Sequence, residues 1–253
     1  MRNYKLKIAN FNISGGFYIG NEDTEYLDRE AVNSVDNKLL EQIIDTINTE
    51  DIDVICFQEI ITTERIDYIN KIASKTCLKF YDYFELSECN IVKDTNCGIA
   101  ILSKFPIIDS IKQKFPNPGI SKTTSSGKTY YLYDKGYMIC TLRKDDGEIK
   151  VLTHHGFPYR RFNSTPEANA KVFEFFDDVI QNNTPDIITG DFNADNFMKL
   201  LKNTSEKYKR TFDCVTTVDG KKFDDILIFK DIDCKTKIIK LLSDHFIIIN
   251  EIK

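Results

Sequence analysis

The 253-residue chain has no CxxC pair and no long hydrophobic run, and each absence excludes a class of protein. Its seven cysteines are scattered without regular spacing, which disfavours a disulfide framework and suits reduced thiols in a reducing compartment. Residues 1–10 alternate polar and apolar side chains, so they predict neither a secretory signal nor a membrane span. We therefore expect a cytoplasmic protein, although a secreted form trimmed of its signal peptide would share these features.

Excess positive charge is also missing, because the formal net charge at pH 7 is -5. Proteins that bind nucleic acid by charge alone are usually basic, so a passive nucleic-acid coat is disfavoured. An enzyme whose active-site carboxylates carry a cation stays compatible with this charge, because the metal reverses the local sign. Local basic pairs at Lys221-Lys222 and Arg160-Arg161 could still meet phosphates.

Internal repeats, low-complexity tracts and composition breaks that would mark a linker are absent from the sequence. Hydrophobic residues make up 42% of the chain, which is enough for a sizeable core. Because a chain of this length fits one large domain, we expect a single domain over residues 1–253.

Helical and strand periodicities alternate in the first part of the chain, whereas strands follow one another directly in the middle and at the end. Apolar spacing predicts helices around Leu39–Ile47, around Ile66–Ala73 and from the Ser164–Pro166 capping signals to Asn183. Strands are predicted at Tyr4–Phe11, Asp53–Phe57, Phe80–Leu86, Gly98–Ser103, Ile107–Phe115, Tyr130–Leu142, Ile149–His155, Asp186–Thr189, Phe223–Phe229, Cys234–Leu242 and Phe246–Ile252. This mixture indicates mixed sheets flanked by helices.

Polar residues stand at the ends of several apolar runs, where a buried strand delivers a side chain to a sheet edge. In chain order they are Asn12, Gln58-Glu59, His154-His155, Asp191 with Asn193, Asp224-Asp225 and Ser243-Asp244-His245. Each one alone would be interpreted as a turn or structural residue. Their joint appearance in this order is the observation that points to chemistry.

This order of motifs resembles the endonuclease/exonuclease/phosphatase superfamily, which includes DNase I-like nucleases, sphingomyelinases and inositol polyphosphate phosphatases. Its most specific pieces are Gly190–Asp195 and Ser243–His245, and Gly98–Ile107 is similar to the family's central strand and turn. The resemblance covers nearly the whole chain. It implies a DNase I-like α/β fold, a four-layer sandwich of two mixed β-sheets packed face to face and flanked by helices.

The resemblance also implies a metal site for the hydrolysis of phosphate esters. Glu59 would be the main ligand of a hard cation, with Asn12 and Asp244 beside it or behind it. Oxygen ligands favour Mg²⁺, with Mn²⁺ as a substitute, over zinc.

Catalytic roles follow from the same resemblance. His245 would be the base or proton relay, and Asp224 would fix its tautomer, with Asp225 as the alternative partner. Asp191 would align the attacking water, and Asn193 would donate its amide to the phosphorane oxygen.

The second catalytic histidine is either His154 or His155, because both match a family pattern. Thr153-His154 resembles the Thr-His strand end, whereas His155-Gly156-Phe157-Pro158 resembles the His-x-x-Pro of DNase I-like members. Successive strand residues point to opposite faces, so only one ring can face the site, and the second pattern favours His155.

Two departures from the patterns of AP endonucleases narrow the range of expected activities. Ile13-Ser14 replaces the acidic ligand of AP endonucleases, and the strand ending at His155 lacks their Tyr-x-Pro-Asn pattern, which disfavours repair of abasic DNA. Asp134-Lys135-Gly136 is similar to sphingomyelinase-like members.

The resulting hypothesis is a monomeric, Mg²⁺-dependent phosphodiesterase with nuclease-like activity on a phosphate-ester substrate, for which nucleic acid is a candidate. A phospholipase C acting on sphingomyelin, and hence on a membrane lipid, or a phosphatase of the inositol-phosphate type is the alternative within the fold. An inactive binding module is disfavoured because every catalytic position carries a competent residue. No obligate protein partner is evident from the sequence.

Overall fold

We describe the chain from a computed structural model that covers residues 5–16, 37–62, 67–89, 94–145 and 147–253. The strands are β1 Leu6–Asn12, β2 Val54–Ile61, β3 Phe80–Glu88, β4 Asn96–Ser103, β5 Ile107–Lys114, β6 Ser121–Thr123, β7 Thr129–Tyr131, β8 Gly136–Lys144, β9 Gly147–His155, β10 Ile187–Asp191, β11 Tyr208–Arg210, β12 Asp224–Phe229, β13 Cys234–Ile239 and β14 Ile247–Ile252. The helices are α1 Asn37–Glu50, α2 Tyr68–Lys75, α3 Ala170–Asn183 and α4 Lys202–Lys207. Tyr4 and Ile66, at the edges of predicted elements, lie outside the described residues.

Two six-stranded sheets carry the fold, and both are mixed. Their strand orders are β13-β14-β1-β2-β4-β3 and β11-β12-β10-β9-β8-β5. Within them β1 pairs with β2 and β9 with β10 in parallel, whereas the other neighbouring strands of these two sheets pair antiparallel among the described residues. The two mixed sheets with flanking helices that the sequence predicts are confirmed.

Alternating side chains sort into three apolar layers, because neighbouring residues of a strand point to opposite faces. Between the sheets lie the fully buried side chains of Ile8, Val54, Ile101, Val151, Ile187 and Ile226. Helices α1 and α2 cover the outer face of the first sheet, and α3 covers that of the second. Each buried aliphatic side chain contributes roughly 1.5–3 kcal/mol to stability. None of the helices among the described residues has both the length and the apolar character that a bilayer span needs.

The polar strand ends meet at one edge of this sandwich. The parallel pair β1–β2 ends with Asn12 opposite Gln58, and the parallel pair β9–β10 ends with His155 opposite Asp191. Antiparallel β12 begins at the same edge, where Asp224 lies opposite Asp191. Both sheets therefore deliver functional side chains to a common place.

The predicted single strand over Tyr130–Leu142 is wrong. The chain forms the short strand β7, which pairs only with β6, leaves the sheet at residues 132–135 and starts β8 at Gly136. A Cβ at Gly136 would lie 2.5 Å from the Gln113 carbonyl oxygen, so only glycine allows β5 this close. The interruption matters for function, because Tyr133 and Lys135 lie in it.

The predicted start of the third helix is confirmed in position but not in type. The Thr165 hydroxyl accepts a hydrogen bond from the Ala168 N–H at 3.2 Å, as a capping residue should. The turn that it caps is a 3-10 helix at Glu167–Asn169, and α3 follows only at Ala170. The short elements α4, β6 and β11 were not predicted, because apolar residues do not recur at a clear helical or strand spacing in them.

Candidate active site

Asp191 is the hub of the candidate site. It ends β10, it is 1% exposed, and its Oδ2 accepts hydrogen bonds from Asn12 Nδ2 at 3.0 Å and Asn193 Nδ2 at 3.2 Å. Its Oδ1 accepts from the Asn193 backbone N–H at 2.8 Å. Since Asn12 belongs to the first sheet and Asp191 to the second, this carboxylate joins the two sheets at the site.

His245 lies on the other side of Asp191, with its Nε2 4.0 Å from Asp191 Oδ2. Its Nδ1 is 2.7 Å from Asp224 Oδ2, a hydrogen bond that fixes the tautomer and leaves Nε2 to face the site. Burial alone would lower the pKa of His245, but the negative charges of Asp224 and Asp244 and the bond to Asp224 raise it well above its usual value. Burial also raises the pKa of Asp191 to about 7, with the nearby charge of Asp224 adding to the effect.

Strand alternation separates Asp224 from its neighbour Asp225. Asp224 shares the inner face with Ile226, whereas Asp225 points outward and forms an ion pair with Arg210. Burial raises the pKa of Asp225 to about 7, and Arg210 opposes that shift. Asp224 is therefore the carboxylate that holds His245, as the resemblance to the family implies.

Glu59 reaches the site from a bulge in β2. The register of β2 against β4 shifts between Gln58 and Ile60, and Glu59 adopts a φ of 54°, which is strained for a residue with a Cβ. Its side chain is 17% exposed, and its Oε1 lies 3.5 Å from both Asn12 Nδ2 and His155 Nε2. The bulge thus aims a carboxylate into the cleft at a point where a regular strand would turn it away.

His155 faces the site. Its Nε2 is 3.6 Å from Asp191 Oδ2, and the Lys135 ammonium lies 3.0 Å from its Nδ1. Burial lowers the pKa of His155 well below its usual value, and the adjacent Lys135 charge lowers it further. His155 is accordingly neutral in this cluster.

His154 does not reach the site. It faces the outer layer, where its ring packs 4.2 Å from the Phe192 ring and 4.6 Å from the Phe176 ring, measured between centroids. Both ring nitrogens are buried without a hydrogen-bond partner, and burial lowers the pKa of His154 to about 3. The catalytic alternative for His154 is therefore not supported, because the ring is on the opposite face of β9.

His154 should instead make stability depend on pH. The folded protein holds it neutral, whereas the unfolded chain protonates it near its usual pKa of about 6.5, so stability falls as pH drops below that value toward 3. Between pH 7.0 and 4.5 this costs about 2–3 kcal/mol. We expect His154→Leu, which has a similar volume, to lack that loss. Urea unfolding of both proteins at pH 7.0 and 4.5 measures it, and two parallel pH dependences would refute the assignment.

The donor set fits a hard divalent cation. Ligand atoms of Asp191, Asp224 and His245 lie within 4.8 Å of one another, and Asp224 Oδ1 is buried without a hydrogen-bond partner. Buried carboxylates this close repel one another, and a cation relieves that repulsion. Carboxylate oxygens favour Mg²⁺ or Mn²⁺.

Asn12 and Asp244, expected beside Glu59 or behind it, both lie next to the carboxylate cluster. Asn12 turns its amide nitrogen to the carboxylates and its Oδ1 to the Ser14 N–H at 2.9 Å, so it bridges Glu59 and Asp191 as a donor. Asp244 is half-buried beside the cluster and does not line the cleft; its Oδ1 is 3.4 Å from Ser243 Oγ. Glu59 does line the cleft.

Among the further residues that line this cleft are Tyr133, Lys135 and Arg161. Lys135 is buried, with 7% exposure, and its motif had been noted in the sequence. Tyr133 and Arg161 were not predicted; the Arg160-Arg161 pair was the only signal for the second. Gln58, below the site, donates to Asn10 Oδ1 at 2.9 Å and to Thr153 Oγ1 at 3.0 Å, and so links the sheets.

Comparison with known proteins agrees with this geometry. The sequence profile of the Endonuclease/Exonuclease/phosphatase family matches residues 9–232. The chain belongs to this family. Members of this family hydrolyse phosphate esters and generally use a divalent metal. The acidic and histidine cluster at the sheet edge is of the kind that could hold such a metal.

Similar proteins are found both among characterised sequences and among solved structures. An inositol phosphosphingolipids phospholipase C from Saccharomyces cerevisiae is 29% identical over 160 residues, which are 60% of this chain and 32% of the yeast protein. The match thus spans about a third of that relative. A family member from Beutenbergia cavernae superposes with a TM-score of 0.70 at 13% identity, over 99% of this chain and 72% of the other. The human Nocturnin catalytic domain gives 0.65 at 15% identity, over 98% and 93%.

Proposed function

We propose that this family member is a divalent-cation-dependent phosphodiesterase of the phospholipase C type, which releases a phosphorylated head group from a lipid. The observation that carries this proposal is Lys135, a buried ammonium 3.0 Å from the His155 ring in the cleft that holds Asp191 and His245. An ammonium at that position neutralises a phosphate oxygen without needing a second metal. Its motif, Asp134-Lys135-Gly136, is the segment that is similar to sphingomyelinase-like members.

The chain's own residues supply the proton chemistry of hydrolysis. In its neutral form His245 accepts a proton from the attacking water at Nε2, while Nδ1 stays hydrogen-bonded to Asp224. A bound cation would offset the carboxylate charges that raise the pKa of this ring and so favour the neutral form. The water oxygen bonds to phosphorus, the bond to the alcohol oxygen breaks, and that oxygen takes a proton from the solvent. Asp191 orients the water. Asn193 Nδ2 donates to Gly156 O at 3.0 Å and to Asp191 Oδ2 at 3.2 Å, and it would turn one of these N–H groups to the phosphoryl oxygen of a bound substrate. The products are a phosphomonoester and an alcohol.

Glu59, Asp191 and Asp224 are the residues that would hold the cation. When bound, Mg²⁺ would act as a Lewis acid that polarises the phosphoryl oxygen. The Lys135 ammonium, 3.0 Å from His155 Nδ1, would repel a second cation on the His155 side of these carboxylates.

The yeast relative supports the lipid proposal, because its name describes cleavage of inositol phosphosphingolipids and its match spans 60% of this chain. The net charge of -5 supports the same choice over a nucleic-acid substrate, since a phosphate backbone is bound mainly through basic residues. The nuclease-like activity that the order of motifs predicts is the competing proposal. Arg160 and Arg161, beside the site, are the residues in its favour.

A substrate panel at fixed Mg²⁺ tests the proposal. We expect hydrolysis of inositol phosphosphingolipid or sphingomyelin in mixed micelles, and of an aryl phosphodiester, with at least tenfold less turnover of the aryl phosphomonoester. A monoester lacks the second ester group that the cleft binds, and a tenfold difference corresponds to 1.36 kcal/mol in the barrier. Nicking of supercoiled plasmid with no lipid turnover would establish the nuclease instead. Lys135→Met should lower the diester rate, whereas Lys122→Met, outside the cleft, serves as the matched control.

A further inference from the structure

The segment between β7 and β8 carries Lys135 into the catalytic cleft, although it lies outside both six-stranded sheets. In the described part of the chain β7 pairs only with β6, so residues 132–135 lack the ladder of hydrogen bonds that fixes a strand. Backbone groups outside a ladder need other partners to hold them. The place of the Lys135 ammonium, 3.0 Å from His155 Nδ1, therefore depends on what else holds this segment.

Asn117 holds the segment at two points. Its Nδ2 donates to the Leu132 carbonyl oxygen at 3.0 Å and to Asp134 Oδ1 at 3.0 Å. One amide thus fixes both the start of the segment and the residue directly before Lys135. Close by along the chain, the Phe115 N–H donates to the Lys135 carbonyl oxygen at 2.8 Å.

The local sequence fixes the direction of the Asn117 amide. Pro116 and Pro118 flank it, and a residue that precedes proline is restricted to extended conformations. The Gly119 N–H donates to Asn117 Oδ1 at 2.9 Å, and Gly119 has a φ of 68°, which glycine adopts without strain. Because Oδ1 faces Gly119, Nδ2 is left to face the segment that carries Lys135.

Asp134 receives a second anchor from Lys114. The Lys114 ammonium lies 3.0 Å from Asp134 Oδ2, and the hydrogen bond from Asn117 together with this ammonium lowers the pKa of Asp134. Both side chains of the ion pair are more than 40% exposed, and exposed pairs contribute little. Asn117, which also holds a backbone carbonyl, is therefore the main anchor.

We infer that Asn117 is a positioning residue for Lys135. It fixes residues 132–135 outside the sheets, so that the ammonium stays in the cleft where the phosphate binds. The inference rests on the proposed function, because Asn117 acts through Lys135 and touches no reacting atom. Misplacing a positioned group by about 1 Å can cost roughly 10²-fold in rate, so the loss of this anchor should be measurable in turnover.

Hydrolysis of methyl 4-nitrophenyl phosphate by the wild type, Asn117→Asp, Lys135→Met and the double variant tests this inference. Asn117→Asp keeps the side-chain size and the acceptor for Gly119, but it replaces the donating amino group by an oxygen that repels Asp134. We expect kcat/KM to fall about tenfold in Asn117→Asp, and less than about twofold further when the change is added to Lys135→Met. A merely structural defect would lower kcat/KM equally in both backgrounds.

A Mg²⁺ titration of Asn117→Asp separates positioning of Lys135 from damage to the metal group. Glu59 and Asp191 are held by β2 and β10, so the half-saturating Mg²⁺ concentration should stay within about twofold of the wild-type value. Asn48→Asp is the matched control, because Asn48 is an exposed amide whose Nδ2 donates to the Lys75 carbonyl oxygen at 3.2 Å, between α1 and α2. It should leave kcat/KM unchanged.

Three outcomes would overturn the inference and leave the proposed function intact. They are wild-type kcat/KM in Asn117→Asp, equal losses from Asn117→Asp in both backgrounds, and a raised half-saturating Mg²⁺ concentration in Asn117→Asp. Full activity in Lys135→Met, or no hydrolysis of the ester by the wild type, would overturn both proposals.

Discussion

Replacing His245 by alanine is expected to lower kcat on a phosphodiester by about 10²–10⁴-fold, the usual contribution of a positioned general acid or base. His245 is 7% exposed, its Nδ1 is fixed by Asp224 at 2.7 Å, and its Nε2 faces Asp191. The substitution removes the proton acceptor from the site while the strands that carry Asp191 and Glu59 stay in register. Steady-state turnover of an aryl phosphodiester at saturating Mg²⁺ measures the effect.

The matched control for this prediction is another buried histidine of the same chain. His154→Leu changes a buried imidazole on the outer face of β9, and it should keep kcat within about threefold of the wild type at pH 7, where the neutral ring costs no stability. Full activity in His245→Ala, or an equal loss in both variants at equal folded fraction, would remove His245 from the mechanism. Circular dichroism reports that folded fraction.

Strand alternation made much of this site predictable. In β9 it separates His155 from His154, and in β12 it separates Asp224 from Asp225, and in each pair the residue favoured from the sequence faces the site. The same two-residue alternation predicted the bounds of most strands to within a few residues. Helices between early strands and hairpins between later ones were enough to predict two mixed sheets.

Features that depend on side-chain rotation and on irregular backbone were not predictable. Nothing in the sequence shows that Asn12 turns its amide nitrogen, rather than its oxygen, to the carboxylates. The strands were predicted from the two-residue alternation of side chains. The bulge at Glu59 and the interruption before Gly136 both break that alternation. Lys135 and Tyr133 reach the cleft because of that interruption.

Fold does not fix the substrate in this kind of enzyme, so the loops are where we expect the substrate specificity to lie. Two stretches show no clear helical or strand period in the sequence. Asn21–Val35 lies outside the described residues, and Asn117–Lys128 includes β6 and leads into the segment that carries Tyr133 and Lys135.

Removal of the metal is expected to have the other large effect. Lewis-acid stabilisation of a transferring phosphoryl group is worth several kcal/mol, which corresponds to a loss on the order of 10²–10⁴-fold when the cation is chelated. Glu59 should determine the affinity for the cation, because it is the partly exposed carboxylate of the group. The bulge in β2, where Glu59 adopts a φ of 54°, directs this carboxylate into the cleft. Loss of such a ligand should weaken Mg²⁺ binding by at least about tenfold.

The measurement that tests the central claim most directly is a Mg²⁺ titration of phosphodiester hydrolysis by the EDTA-treated wild type and Glu59→Gln. Glu88→Gln, which changes an exposed carboxylate on the rim of the same cleft, is the control for local charge. We predict that chelation abolishes hydrolysis, that Mg²⁺ restores it, and that the half-saturating concentration rises at least tenfold in Glu59→Gln but less than threefold in Glu88→Gln. Hydrolysis that is insensitive to EDTA, or superimposable curves for the wild type and Glu59→Gln, would contradict a cation-dependent centre at this edge of the sandwich.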